Sequence, residues 1–235
     1  MELSVSEVAQ RLGIDDTRVQ RMVRDGQLAG RRLGRQWLIE PEDVARLAGQ
    51  NRRPGRPMAP ARAWGLLDFL DGGTAPWLTP VARSQTKALL RRLAGADADR
   101  WRAALRARSD VLRCRAHPAA IKRLLIEHEG LVLAAGDQQA VLLGADLVAV
   151  DPLQQVYVRA QDWPQVATRW TVRVGVSEPN LMVRLPRKVW PFERQGRVSA
   201  AAVAADLLES REPRAVAGGL VLLDELSVAA TGPKS

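Results

Sequence analysis

Cysteine, histidine and the smaller aromatics are almost missing from this chain. Among its 235 residues are one Cys, two His, one Tyr and two Phe. A lone Cys114 can build neither an internal disulfide framework nor a Cys-based zinc site. His117 and His128 add too few imidazoles for most metal sites, so no cofactor and no metal is expected. There is no run of about 18 apolar residues, which excludes a helical membrane span. The opening MELSVSEVA carries acids and lacks an apolar h-region, so no secretory signal is expected. There is no phosphate-binding P-loop. These absences point to a cytoplasmic protein, associated with the nucleoid if it binds DNA.

Base and tryptophan are abundant instead. The formal charge is +9 and the isoelectric point about 10.9. Such a balance suggests a polyanionic partner and says nothing about fold. The excess is uneven: residues 83–124 hold 12 bases and 3 acids. Seven Trp are spread along the chain without a common spacing. Packing in cores and hinges accounts for them better than a stacking platform for single strands.

The most informative stretch is residues 3–47. Ser4 or Ser6 can cap a first helix whose apolar stripe is Val5, Val8, Ala9 and Leu12. Gly13 supplies the turn. Asp15 and Asp16 offer an N-cap for a second helix over 17–24, with Val19, Met22 and Val23 inward. That leaves Thr17, Arg18, Gln20, Arg21 and Arg24 outside. Asp25-Gly26 ends this helix. A hairpin follows, with strands at 28–32 and 36–39 around a turn at 33–35. Glu40 then leads into a third helix with Pro41 in its first position, and Trp37 and Ile39 close the small core against it.

The strings SxxEVAxxLGI, TRVQRMVRDGQL and RLGRQWLIEPEDV in this stretch resemble the excisionase and MerR-type winged helix-turn-helix family. The resemblance covers about the first 50 residues. It implies that the second helix enters the major groove through Thr17, Arg18, Gln20 and Arg21. It also implies that the hairpin, acting as a wing, meets backbone and minor groove through Arg32, Arg35 and Gln36. Arg and Gln suit base edges, Arg pairing with guanine and Gln with adenine, whereas Arg24 and the wing arginines suit phosphate. The plainer reading of Arg24 is a surface pair with Asp25 or Glu42. No MerR effector domain or dimerising coiled coil follows, so small-molecule sensing of that kind is not implied.

The chain is expected to be α+β: a winged helix-turn-helix over 1–50, a linker over 51–60, a basic helical domain over 61–129, a mixed α/β domain over 130–229 and a frayed tail over 230–235. The linker is rich in Pro and Arg. Its RPGRP run loosely resembles a minor-groove AT-hook, and a stiff spacer is the simpler reading. Helices are expected from about 61 to Gly72, from Pro80 to Leu93, from 97 to 108 and from 118 to 128, with a short strand at 111–115. Strands are expected in the tail at 131–134, 147–150, 156–159, 172–174 and 181–185. Helices are expected there at 138–143, 164–169, 199–209 and 213–226. In the basic segment Lys87 and Arg91 lie one helical turn apart, as do Arg102 and Arg106. Like charges so placed repel unless an anion meets them, which makes these four candidates for a second phosphate contact.

A second resemblance rests on short motifs: QVYV at 155–158, NLMVRL at 180–185, AADLLES at 204–210 and PRAVAGGLVLL at 213–223. They are similar to the C-terminal region of AbiEi-type antitoxins, which implies an autorepressor whose tail binds a partner. An excisionase-like architectural factor is another reading. From a different class, Asp146 and Asp151 flank an expected strand, where metal-dependent DNA-processing enzymes place carboxylates. No paired D-x-D occurs there, and a turn explains Asp151-Pro152 more simply. Arg113 and Arg115 flank Cys114, but a strand would turn the thiol away from both. The leading expectation is a non-enzymatic, sequence-specific binder of double-stranded DNA acting as a transcription regulator. Its C-terminal domain is the place for self-association or a protein partner.

Overall fold

The computed structural model describes residues 2–34, 36–51, 58–127, 131–136, 153–210 and 212–231. Arg35, His128, the RPGRP run, and the expected helix at 138–143 and strand at 147–150 lie outside these, as do Asp146 and Asp151. Among the described residues no helix is long and apolar enough to cross a membrane.

The first unit is built as its capping signals dictate. Helix α1 is Val5–Leu12, started by a capping box in which Ser4 accepts from the Glu7 amide and Glu7 accepts from the Ser4 amide. Gly13, with φ +65°, ends it in the left-handed conformation. Helix α2 is Asp16–Arg24, capped by Asp15. Strands β1 (Gly30–Leu33) and β2 (Gln36–Ile39) form the hairpin, and α3 is Pro41–Asn51. Leu3 adds a bridge to Ile39 through two 2.8 Å hydrogen bonds. Val8, Val19, Val23, Leu28, Ile39 and Val44 make the core beneath.

The first strand begins at Gly30 and not at Leu28. The reason is local: the Ala29 amide is taken by the buried Asp43 carboxylate at 2.8 Å, while the Ala29 carbonyl accepts from the Glu40 amide. Residues 28 and 29 therefore serve as the hairpin's buried root.

Among the described residues, the rest of the chain forms a five-stranded sheet between two helical layers. Helices α4 (Pro60–Leu70), α5 (Pro80–Leu93) and α6 (Ala98–Leu105) come first. Then follow β3 (Ser109–Arg115), α7 (Pro118–Glu127), β4 (Val132–Ala135), β5 (Gln154–Val158), α8 (Trp163–Arg169), β6 (Arg173–Val174), β7 (Leu181–Pro186), α9 (Ala200–Leu207) and α10 (Pro213–Thr231). The strand order is β4-β5-β7-β3-β6. The β5–β7 pair is parallel, and the other pairs are antiparallel.

Alternation along each strand sorts side chains between the layers. Val132, Val156, Val158, Leu181 and Val183 join Leu112, Cys114, Leu124 and Val166 on one face. Leu133, Ala135 and Tyr157 join the larger core built on α4, α5, α6, α9 and α10. That core draws on residues from both sides of position 129. Trp64 and Trp101 lie fully buried in it. The Trp64 indole donates to the Arg108 carbonyl at 2.8 Å and meets the Tyr157 and Phe192 rings edge-on.

The final helix runs to Thr231, beyond the Leu226 limit and into the stretch expected to fray. Ser227 is buried, and the Thr231 hydroxyl donates to the Ser227 carbonyl at 2.7 Å. Packing thus reaches Ser227, and the last four helical residues beyond it are exposed.

A charged cluster is enclosed between sheet and helices. Asp206 Oδ1 accepts from Arg108 and from the Tyr157 hydroxyl, each at 2.7 Å, and lies 3.3 Å from Arg184 Nε. Glu209 bridges the same two guanidiniums, at 2.5 Å from Arg108 and 2.6 Å from Arg184. Two cations thus meet two anions. Burial alone would raise the Glu209 carboxyl, but the Arg108 and Arg184 guanidiniums overcome it and hold the group at about 2. Burial, reinforced by Asp206, pushes the Tyr157 hydroxyl well up.

Candidate nucleic-acid interface

The inward side of α2 is fixed by Val19 and Val23, both buried. Helical geometry then sends Thr17, Arg18, Gln20, Arg21 and Arg24 outward, and all five are exposed. Asp15 accepts from the Arg18 amide at 2.8 Å, which starts the helix without using an outward side chain. The Ser6 hydroxyl donates to Asp16 at 3.0 Å and ties α1 to α2. Arg24 folds back so that Nε donates to the Gln20 carbonyl at 3.4 Å. Two polar side chains able to bond base edges, Gln20 and Arg21, sit beside cations at either end.

The hairpin adds a second projecting element. Arg32 stands opposite Trp37 in the ladder, with its guanidinium 5.9 Å from the ring centroid. This cation–π contact holds Arg32 along the hairpin. Gln36 is exposed at the start of the return strand. Leu33, beside the Gly34 turn, is 60% exposed. Arg31 points to the other side and forms a forked pair with Glu2 at 2.7 and 2.6 Å. Its hydrogen bonds hold the Glu2 carboxyl below the usual range.

The anchor of this unit leaves no local pattern in the sequence. The buried Asp43 carboxylate uses one oxygen for the hairpin root at Ala29 and the other for Arg113 of β3, at 2.6 Å. Arg46 lies 3.4 Å from the latter oxygen. Beside this pair, the Arg113 amide donates to the Gly26 carbonyl at 3.3 Å. Gly26 has φ +71°, and a Cβ there would lie 2.1 Å from Val174 Cγ1. Glycine is required at that turn both for its conformation and for the approach of β6. Gly175 comes close from the other side, since a Cβ on it would lie 2.9 Å from the Val23 carbonyl oxygen. The end of α2 is therefore seated directly on the edge of the sheet.

Arg113 and Arg115 flank Cys114 in the sequence. The strand does turn the thiol away from both arginines: Cys114 is buried in the opposite core, and burial pushes its thiol up to about 12. An apolar environment and a protonated thiol leave it a small core residue.

The four basic candidates in the middle segment fall into different environments. Lys87 and Arg91 are exposed on α5, with the Lys87 ammonium 5.2 Å from the Phe69 ring centroid. Arg102 is half-buried, donating to the Leu208 carbonyl and pairing with Asp99 at 3.2 Å. Arg106 is also half-buried and engaged.

No curated protein and no solved structure matches the chain, and nothing in the comparisons supports the AbiEi-type likeness of the tail. A family model described as a helix-turn-helix domain matches residues 2–52, the unit formed by α1, α2, the hairpin and α3. Residues 2–52 are thus a DNA-binding helix-turn-helix domain of excisionase-like type, carried on an α+β body.

Proposed function

We propose that this protein is a sequence-specific binder of double-stranded DNA and acts as a transcription regulator. The observation that carries the reading is the division of α2. Val19 and Val23 are sealed in the core, while Thr17, Arg18, Gln20, Arg21 and Arg24 form one exposed face. In this reading α2 lies in the major groove and the hairpin serves as the wing. Arg32, Arg35 and Gln36 then meet backbone or minor groove. No catalytic step is assigned.

A single reader of this size offers a small footprint, and specific affinity then calls for a second contact or a second copy. Lys87 and Arg91 are the best placed of the basic candidates to meet phosphate, because both are exposed on one side of α5. Arg102 and Arg106 belong to the same proposed surface but are partly spent on internal contacts.

The test is a selection from random duplexes followed by binding measurements. Arg21→Ala should cost about 1–3 kcal/mol of discrimination at one position of the selected site. A uniform loss over all sequences would show that Arg21 meets backbone instead. In the same assay, Lys87→Gln with Arg91→Gln should lower the slope of log K against log salt by about 2 if both meet phosphate. An unchanged slope would remove α5 from the DNA.

A further inference from the structure

We propose that the cleft at the β6 edge of the sheet is a binding site for a phosphate-bearing anion, placed so that its occupancy reaches the reading helix. The cleft is open and measures about 510 Å³, a size suited to a small ligand. Arg115, His117, Arg169, Trp170, Arg173 and Asn180 line it, and no acidic side chain among the described residues does so.

Cations face one another across the cleft. Arg115 and Arg173 are direct partners in the antiparallel β3–β6 pair. Like charges in that position repel and weaken the ladder unless an anion lies between them. Arg115 donates to the Glu178 carbonyl at 2.8 Å and lies 3.3 Å from its carboxylate. That carboxylate is 85% exposed, so the pair is weak and an incoming anion can displace it. No carboxylate pairs with Arg173 among the described residues. Two guanidinium forks on neighbouring strands suit a phosphate, which offers more oxygens than a carboxylate.

The cleft is also built in advance. Asn180 accepts from the Ala116 amide at 3.0 Å and donates to its carbonyl at 2.8 Å, pinning β7 to the start of α7. The Trp170 ring makes one wall, and Arg169 and Arg123 rest their guanidiniums 5.7 and 5.8 Å from its centroid.

The link to DNA runs through two residues of chain. Arg173 lines the cleft, Val174 fills the space over Gly26, and Gly175 abuts the Val23 carbonyl. An anion that draws Arg173 toward Arg115 therefore acts on the strand that seats the last turn of α2. The phosphate can belong to a free phosphorylated compound or to a DNA backbone. The second source rests on the DNA-reading proposal above; the first does not.

The test uses the full chain and inorganic pyrophosphate as probe, followed by calorimetry. Wild type should bind it, Arg173→Gln should weaken binding at least tenfold, and Arg21→Ala should leave it unchanged. Arg173→Lys, which keeps the charge but loses the fork, should fall between. If DNA supplies the phosphate, pyrophosphate competes with duplex and Arg173→Gln lowers the salt slope of DNA binding by about 1. If a free compound supplies it, the slope is unchanged and pyrophosphate shifts DNA affinity without competing for the same contacts. Pyrophosphate binding and salt slope both unaltered in Arg115→Gln/Arg173→Gln, with the melting temperature preserved, would overturn the proposal. A loss of base preference in Arg21→Ala is scored separately, so failure of the reading helix and failure of the cleft are told apart.

Discussion

Asp206→Ala should unfold the protein more easily by about 3–5 kcal/mol, the scale expected when a buried ion pair loses one partner. The carboxylate is almost fully enclosed and accepts from Arg108 and Tyr157 while lying against Arg184. Its removal leaves two guanidiniums in the core with Glu209 as their one remaining anion in the cluster. The Tyr157 hydroxyl also loses its acceptor. Asp206→Asn retains an oxygen for the tyrosine but removes the charge, so its loss should be smaller. Urea unfolding of both variants would measure this, and a loss below about 1 kcal/mol for the alanine variant would mean that water replaces the carboxylate.

The same cluster gives the protein an acid limit. The Glu209 carboxyl is held at about 2, against 4.5 when unperturbed. A group depressed in the folded state stabilises fully above its unfolded value and less as pH falls through the folded one. Stability should therefore drop as pH falls from about 4.5 towards about 2. Glu209→Gln should flatten the curve in that window while lowering stability at neutral pH.

Asp43→Ala is expected to be the second large effect, about 3 kcal/mol, because it too breaks a buried pair. This one should also change binding. The Ala29 amide loses its acceptor at the hairpin root, and Arg113 loses the carboxylate that ties β3 to α3. The figure sits at the lower end because Arg113 is 20% exposed and can recruit water. Asp43→Asn can still accept from Ala29 and should recover part of the loss. Amide hydrogen exchange gives the decisive readout: residues 26–39 should exchange faster in the alanine variant. Unaltered protection there would mean that the hairpin is held by its core contacts alone.

Local rules specified the helix-turn-helix domain almost completely. The Ser4–Glu7 box, Asp15, Gly13 and Pro41 each specify a helix end through contacts within a few residues, so no tertiary knowledge was needed. In the body, the described strands and helices were legible from periodicity, but their assembly was not. The motifs around 155–158, 180–185 and 204–210 stood out as apolar strings and suggested a family likeness. What joins them in space is their polar letters: Tyr157, Arg184, Asp206 and Glu209. A charged residue within an apolar string looks like a solvent-facing position until its partner is known, and here the partners lie 22 to 101 residues away. The anchor between Asp43 and Arg113 escaped for the same reason, since the two are 70 positions apart. The basic run at 83–124 showed charge but not its disposition: Lys87 faces outward, whereas Arg108 is enclosed.

The seat of Gly26 on Val174 and of Asp43 on Arg113 bears on modularity. Helix-turn-helix heads are usually thought of as interchangeable parts joined by string. This head has its own fitted socket. A foreign head grafted at residue 52 would need an acid where Asp43 stands and a residue without a Cβ where Gly26 stands. Without them it would bring a clash to the sheet edge and strand an arginine. An exchanged head that lacks either contact residue should therefore seat poorly on the sheet edge even when each half folds.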